Sequence, residues 1–327
     1  MKAVIINRYG GPEVLEDTDI PRPEPKADEV LIRVLKTSVN FADLKSRRGK
    51  KGKAEFPAIL GLDLVGRVEQ VGQHVRDVEV GQKVIAFPKH GSYAEYAIAN
   101  EQLVYAIPDD MDLTCAAASP IVAFLSYKLL KDIGGIQSEH SVLIHSGSGG
   151  VGSTAIQLAK HFGAHTIFST VGDLEKAHVP ITYGADEVYT YQDFSQQILN
   201  ETNGKGVDLI LDSVGGEVTS RSLECLAPYG RLVHFGQSSG EQANVSTDDV
   251  HSSCRSFLGY SLGTTRKLRP NQLQDISHKV IQLLHLGLIN VHVGHEFLLE
   301  DVAEAHRLME KRQHTGKIIL TVHEEES

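Results

Sequence analysis

Residues 141–163, SVLIHSGSGGVGSTAIQLAKHFG, constrain this chain more than any other stretch. Val142, Leu143 and Ile144 form a short apolar run, as a strand buried on both faces does. Gly147, Gly149 and Gly152 then fit G-x-G-x-x-G. The first glycine allows a sharp turn and the second lets backbone N–H groups approach a pyrophosphate. The third lets the next helix pack closely on the strand. Ala155, Ile156, Leu158, Ala159 and Phe162 share one helical face. Strand, glycine turn and helix in this order predict a dinucleotide site, with the helix N-terminus offering N–H groups to phosphate. A glycine turn that only packs helix on sheet is the alternative.

The text on either side divides in two. Residues 1 to about 110 read as β-rich: Ala3–Ile6, Glu29–Val39, Leu64–Gly72, Lys83–Ala86 and Tyr93–Ala97 are short strands with glycine or proline turns. They suggest a small barrel-like domain. From about Leu113 helices and strands alternate: a helix Cys115–Lys131 around Pro120, strands at Thr166–Ser169, from Val188, Val207–Asp212 and Gly230–Phe235, and helices Leu174–Tyr183 and Phe194–Thr202. Alternation of this kind predicts a doubly wound parallel α/β sheet. Gln272–Leu286 is an amphipathic helix, Leu299–Arg312 another helix, Lys317–Val322 a closing strand, and the terminal EEES a solvated tail.

With 327 residues, two domains are expected. A net charge of −10 argues against a nucleic-acid or anionic-membrane surface. No apolar run of ~18 residues is present, and MKAVIINRYGG lacks signal or transit character, so the chain as given reads as cytoplasmic. Cys115, Cys225 and Cys254 are far apart and no C-x-x-C occurs, which speaks against a structural zinc lobe and for buried free thiols.

An NAD site places an acid about 20 residues past the glycines, on the ribose 2′-OH. Here the second strand runs into Phe168-Ser169-Thr170-Val171-Gly172 with no carboxylate. Ser169 and Thr170 are hydroxyl residues suited to a 2′-phosphate, and Lys176 follows; Asp173 and Glu175 argue the other way. The balance favours NADP.

The order of several short patterns is similar to the medium-chain dehydrogenase/reductase superfamily, in its zinc-independent quinone oxidoreductase branch. Asn40, Asp43, Arg47 and Gly49 resemble N-x-x-D-x-x-x-R-x-G, and Pro57, Gly61, Asp63, Gly66, Val68, Val71 and Gly72 the pattern that follows it. GSYAEY (91–96), AAASP (116–120), SGSGGVG, GVDLILDSVGG (206–216), GRLVHFG and GKIILTV complete the match over nearly the whole chain. The resemblance implies a Rossmann domain over residues 116–262, inserted in a GroES-like catalytic domain built from 1–115 and 263–327. It implies NADPH and a homodimer joined by edge strands, with Val245–Leu262 contributing.

It also implies site residues. Ser148, Gly149, Gly150 and Val151 form the nucleotide loop, with Ser169 and Thr170 beside it. Lys176 and Tyr191 take the 2′-phosphate, as cation and phenolic donor. Phe235, Gly236, Phe257, Leu258 and Arg312 line the cofactor, and Asn40 faces its nicotinamide. Leu125 replaces the family's threonine, which shifts nicotinamide placement toward backbone near Phe257 and Leu258. Leu62 stands where the zinc branch has a metal-binding histidine, and no cysteine precedes Cys115, so no metal is expected. Without a Lewis acid, hydride addition to a quinone or to the C=C bond of an enone is easier than alcohol oxidation. Lys45, in a loop similar to that of alkenal and enone reductases, would polarise the substrate carbonyl. A 2-enoyl thioester reductase is disfavoured by the lack of tyrosine in residues 41–56, and a catalytically weak binding or structural relative is the third reading.

Overall fold

The structure is a computed structural model and describes residues 1–324. The chain groups into two compact units, Met1–Ile121 with Gly263–Gly287 and Val291–Ser327, and Val122–Leu262 with Leu288–Asn290. Residues 325–327, most of the expected EEES tail, lie outside the described residues.

The second unit is a six-stranded sheet in the order Glu187–Thr190, Thr166–Val171, Ser141–Ile144, Val207–Asp212, Leu226–His234, Ser256–Gly259. Every pairing in it is parallel. Leu143, Phe168, Ile210 and Leu232 pack beneath Phe194 and Ile198 of the helix Phe194–Glu201, so strands and helix share one core. Ser141–Ile144 lies between the second and fourth strands in chain order, so the order reverses at it. Ligands of doubly wound sheets bind outside the strand ends at such a point. The helix Gly150–His161 starts there.

In the first unit the two chain ends build one sheet: Ile318 pairs with Val39 and Thr321 with Lys36, antiparallel. Its order is Val293–Leu298, Lys317–Thr321, Glu29–Val39, Leu64–Val71, Lys83–Ala86, Val104–Ala106, with Tyr96–Asn100 also on Glu29–Val39. Val30, Ile32, Leu64 and Val84 fill one core, and Val4, Leu44, Ile318 and Met309 another.

Several elements differ from the sequence reading. Tyr93–Ala97 is not a strand; the strand is Tyr96–Asn100, because the Tyr93 ring is buried and its hydroxyl bonds His306. Pro180 splits the expected Leu174–Tyr183 helix into a 3₁₀ turn, Leu174–Lys176, and a short helix, His178–Thr182. The segment after Asn40 is a helix, Phe41–Arg47, so Lys45 is helical and not in a loop. Cys225 is buried, Cys115 partly so, and Cys254 exposed, which corrects the expectation of buried thiols throughout. The helical stretch Leu113–Ile133 is long and apolar enough to cross a membrane, and 78% of its apolar window is buried in the protein.

Candidate active site

The glycine turn owes its shape to two close approaches. A Cβ on Gly152 would stand 2.2 Å from the Ser146 carbonyl oxygen, and one on Gly147 would stand 2.0 Å from Ser169 Oγ. Gly149 meets only the Ser146 oxygen, at 3.3 Å, so its outer side is open. The helix behind it has no side-chain cap, and the first-turn N–H groups of Gly150, Val151 and Gly152 have no intrahelical acceptor. Donors without acceptors at the positive end of a helix dipole fit a pyrophosphate. Ser148, Gly149, Gly150 and Val151 all lie in this turn.

The strand Thr166–Val171 runs two residues beyond its expected end, and this changes the role of Ser169 and Thr170. Both are fully buried. Ser169 Oγ donates to the Ile144 carbonyl at 2.8 Å, and Thr170 Oγ1 lies 2.8 Å from His145 Nδ1. These hydroxyls hold the base of the turn and offer no surface to a phosphate.

The proton positions around His145 follow from its partners. Ser222 gives its single proton to the Val218 carbonyl (2.6 Å), so its oxygen accepts from His145 Nε2 (2.8 Å). Burial holds His145 down to about 4, hence neutral, with a bare Nδ1 that accepts from Thr170. Ser146 Oγ lies 2.9 Å from the Tyr191 hydroxyl and accepts from Ser213 Oγ (3.2 Å), and burial raises the Tyr191 phenol. Tyr191 thus touches the glycine turn through Ser146. Lys176 ends the 3₁₀ turn just past the strand, where Asp173 caps the same turn by accepting the Glu175 N–H at 3.0 Å. Phe235 and Gly236 follow the fifth strand, and Phe257 and Leu258 lie half-buried in the edge strand, opposite Leu232 and Val233.

A second polar cluster lies in the other unit. Asn40 precedes the helix Phe41–Arg47, and Asp43 Oδ2 accepts the Asn40 N–H at 2.8 Å. The Asn40 amide is committed at both ends: Nδ2 donates to Asp63 Oδ1 (3.0 Å) and Oδ1 accepts from Lys317 Nζ (2.7 Å). Asp63 also accepts from Ser38 Oγ (2.6 Å) and the Ile121 N–H (3.3 Å). Burial, with Asp63 adding to it and Lys317 opposing, raises Asp43 to about 6. Burial lowers Lys317, against both carboxylates. Arg47, fully buried, gives an N–H to His306 Nδ1 (2.9 Å) and pairs with Glu310. His306 Nε2 then donates to Tyr93, and Tyr93 to Asp43. Asn40, Asp43 and Arg47 thus serve as internal scaffold. Lys45 faces the Phe41 ring at 5.3 Å, and burial, then Lys50, lowers its ammonium below the ordinary value. Arg312 is exposed beyond the helix Val302–Glu310.

Residues 26–109 match the alcohol dehydrogenase GroES-like domain and residues 183–320 the zinc-binding dehydrogenase family. A quinone oxidoreductase of Pseudomonas aeruginosa is 32% identical over 323 residues, covering 98% of this chain and 99% of its own. The chain belongs to the quinone oxidoreductase branch of the medium-chain dehydrogenase/reductase superfamily. The Escherichia coli quinone oxidoreductase, solved in complex with NADPH, superimposes with a TM-score of 0.92 at 29% identity, over 98% of this chain and all of that one. The chain is also 32% identical to a segment, 14% of the whole, of a phenolphthiocerol/phthiocerol polyketide synthase of Mycobacterium tuberculosis.

Within this family frame, reading the sequence alone passes over four participants. They are His145, Asp212, His306 and Lys317. Asp212 is held down to about 2: burial opposes, and bonds from His234, Thr219 and the Val214 N–H prevail. Histidine and aspartate at the ends of parallel strands are a usable signal. Lys317 sits in an apolar strand and gives none.

Proposed function

We propose that the protein is an NADPH-dependent oxidoreductase that transfers hydride to a quinone or to the C=C bond of an α,β-unsaturated carbonyl, without zinc. The glycine turn at the strand-order reversal carries this reading. Its open N–H groups fit a pyrophosphate, and the strand beside it ends without a free carboxylate. Ser148 to Val151 would hold the pyrophosphate, and Lys176 the 2′-phosphate. Bound NADPH supplies the hydride. Lys45 would stabilise oxyanion charge on the substrate and return a proton; its lowered affinity for that proton makes it the stronger acid. Asn40 holds Lys317 and Asp63 in place. The zinc-free chemistry rests on Leu62 and on the absence of any cysteine before Cys115.

A homodimer belongs to the same proposal. Ser256–Gly259 is the outermost strand of the six-stranded sheet and lies inside Val245–Leu262. Sedimentation as a monomer at micromolar concentration would reject it.

The cofactor reading is tested by fluorescence titration. NADPH should bind at least tenfold more tightly than NADH, ~1.4 kcal/mol, and Lys176→Ala should remove most of that difference. Equal affinities in the wild type would overturn it.

A further inference from the structure

The backbone at Leu62 is pinned on both sides. The Gly61 N–H donates to Asp43 Oδ1 at 3.2 Å, and the Asp63 carbonyl accepts from Thr37 Oγ1 at 2.7 Å. Gly61 has φ +98°, and a Cβ there would stand 2.2 Å from Ser92 Oγ. The Leu62 carbonyl, between these anchors, has a fixed place. It accepts an N–H from Arg266, on the helix Leu262–Leu268, at 2.9 Å. The guanidinium lies 5.0 Å over the ring of Phe87, which is buried and edge-on to Tyr105. A hydrogen bond and a ring face hold this cation in one orientation. Leu62, Phe87 and Arg266 all belong to the first unit.

The charge of Arg266 is not used up inside the fold. A guanidinium carries five N–H donors. Arg266 forms no ion pair and no hydrogen bond beyond Leu62 among the described residues. None of its nitrogens is a sealed atom without a partner, and the residue is partly exposed, so the remaining donors face open space. Burial lowers Arg266, and Asp63, Asp43 and Tyr105 oppose. Those two carboxylates also act on the buried ammonium of Lys317, on the enclosed side of the cluster. A cation that is oriented, partly desolvated and open on one side suits an anion that comes and goes. Leu62 supplies the reason for its place: it stands where the zinc branch has a metal-binding histidine.

We propose that Arg266 holds the acceptor oxygen on which negative charge develops during hydride transfer, in place of the Lewis acid that Leu62 excludes. The inference rests on the hydride-transfer reading above and deepens it. With an enone, the β-carbon gains the hydride and its electron pair. The C=C pair shifts toward the carbonyl carbon and the carbonyl π pair moves to oxygen, so an enolate and NADP⁺ result. The guanidinium keeps its proton throughout. Arg266 thus shares the charge with Lys45, and the return of the proton is left to Lys45.

The test uses R266Q and R266K. R266Q should lower kcat with an enone by at least about 100-fold, and with a quinone less, because a quinone yields a less basic oxyanion. Its NADPH affinity in a fluorescence titration should stay within about twofold of wild type, which shows that it folds. R266K keeps a charge but not the fork, and should lie about tenfold below wild type. 4-Nitrophenol probes the site without turnover, since its absorbance distinguishes phenolate from phenol. Wild type should bind the phenolate in preference by about tenfold or more, and R266Q should bind the two about equally. An enone kcat within about threefold of wild type in folded R266Q, or a phenolate preference that survives in it, would overturn the inference. If R266Q does not fold, a wild-type enone kcat in R266K overturns it. If no acceptor oxidises NADPH, the hydride-transfer reading fails instead, and 4-nitrophenol decides the site: a preference lost in R266Q supports it, and no wild-type preference refutes it.

Discussion

Lys317→Met isolates the polar scaffold under Asn40. The ammonium is fully enclosed, 2.7 Å from Asn40 Oδ1 and 3.3 Å from the Val39 carbonyl, and it opposes the charge of Asp43 and Asp63. Methionine fills nearly the same volume, so little of the effect is a cavity. What remains is two buried carboxylates without their cation, and removing one partner of a buried charge pair costs about 3–5 kcal/mol. At an m-value of about 2 kcal/mol/M, the urea midpoint should fall by about 2 M. Adding Asp43→Asn should recover at least about 1 kcal/mol, because one orphaned charge is gone. The penalty should also be smaller at pH 5 than at pH 8, since Asp43, already raised to about 6, takes a proton more readily once Lys317 is lost. A loss under about 1 kcal/mol, or no rescue by Asp43→Asn, would refute this reasoning.

Gly152→Ala should abolish NADPH binding while the fold persists, because its Cβ meets Ser146 and Gly147 backbone at 2.2 and 2.8 Å; a titration showing unchanged affinity would count against the turn as the cofactor cradle. Lys45→Met should lower kcat with enones by about 10²–10³ and with quinones less, as for loss of one donor to a developing oxyanion; steady-state kinetics on both classes checks it. Stability should fall by about 2 kcal/mol between pH 7 and 5 in urea titrations. His145 and His306 are depressed to about 4 and about 3, so the unfolded chain protonates first below pH 6.5. Asp43, raised to about 6, offsets part of this, because there the native state takes the proton first. Asp212, depressed to about 2, stabilises above pH 3.8 and contributes no change in this window. Stability that is flat or rising as pH drops would contradict these assignments.

Patterns that depend on neighbours along the chain were readable. Glu29–Val39 and Val207–Asp212 have the expected bounds, and the glycine turn follows its strand as its spacing requires. The helix after Asn40 was also encoded, since an asparagine with an acid three residues on is a helix-start signal. What escaped was decided across the fold. Tyr93 leaves its strand for His306, 213 residues away. Lys317 reaches Asn40 across 277 residues, and no local pattern marks a buried lysine in an apolar strand. Two further residues of strand turned Ser169 and Thr170 inward, and strand ends are set by packing as much as by propensity.

On the proposed function, NADPH reduces an activated C=C bond or a quinone without a metal. NADPH oxidation followed at 340 nm with 9,10-phenanthrenequinone, a short alkenal and crotonyl-CoA, beside a saturated aldehyde and with and without chelator, tests it most directly. Turnover is expected with at least one of the first three, none with the saturated aldehyde, and no effect of the chelator. Reduction of the saturated aldehyde that the chelator abolishes would contradict it.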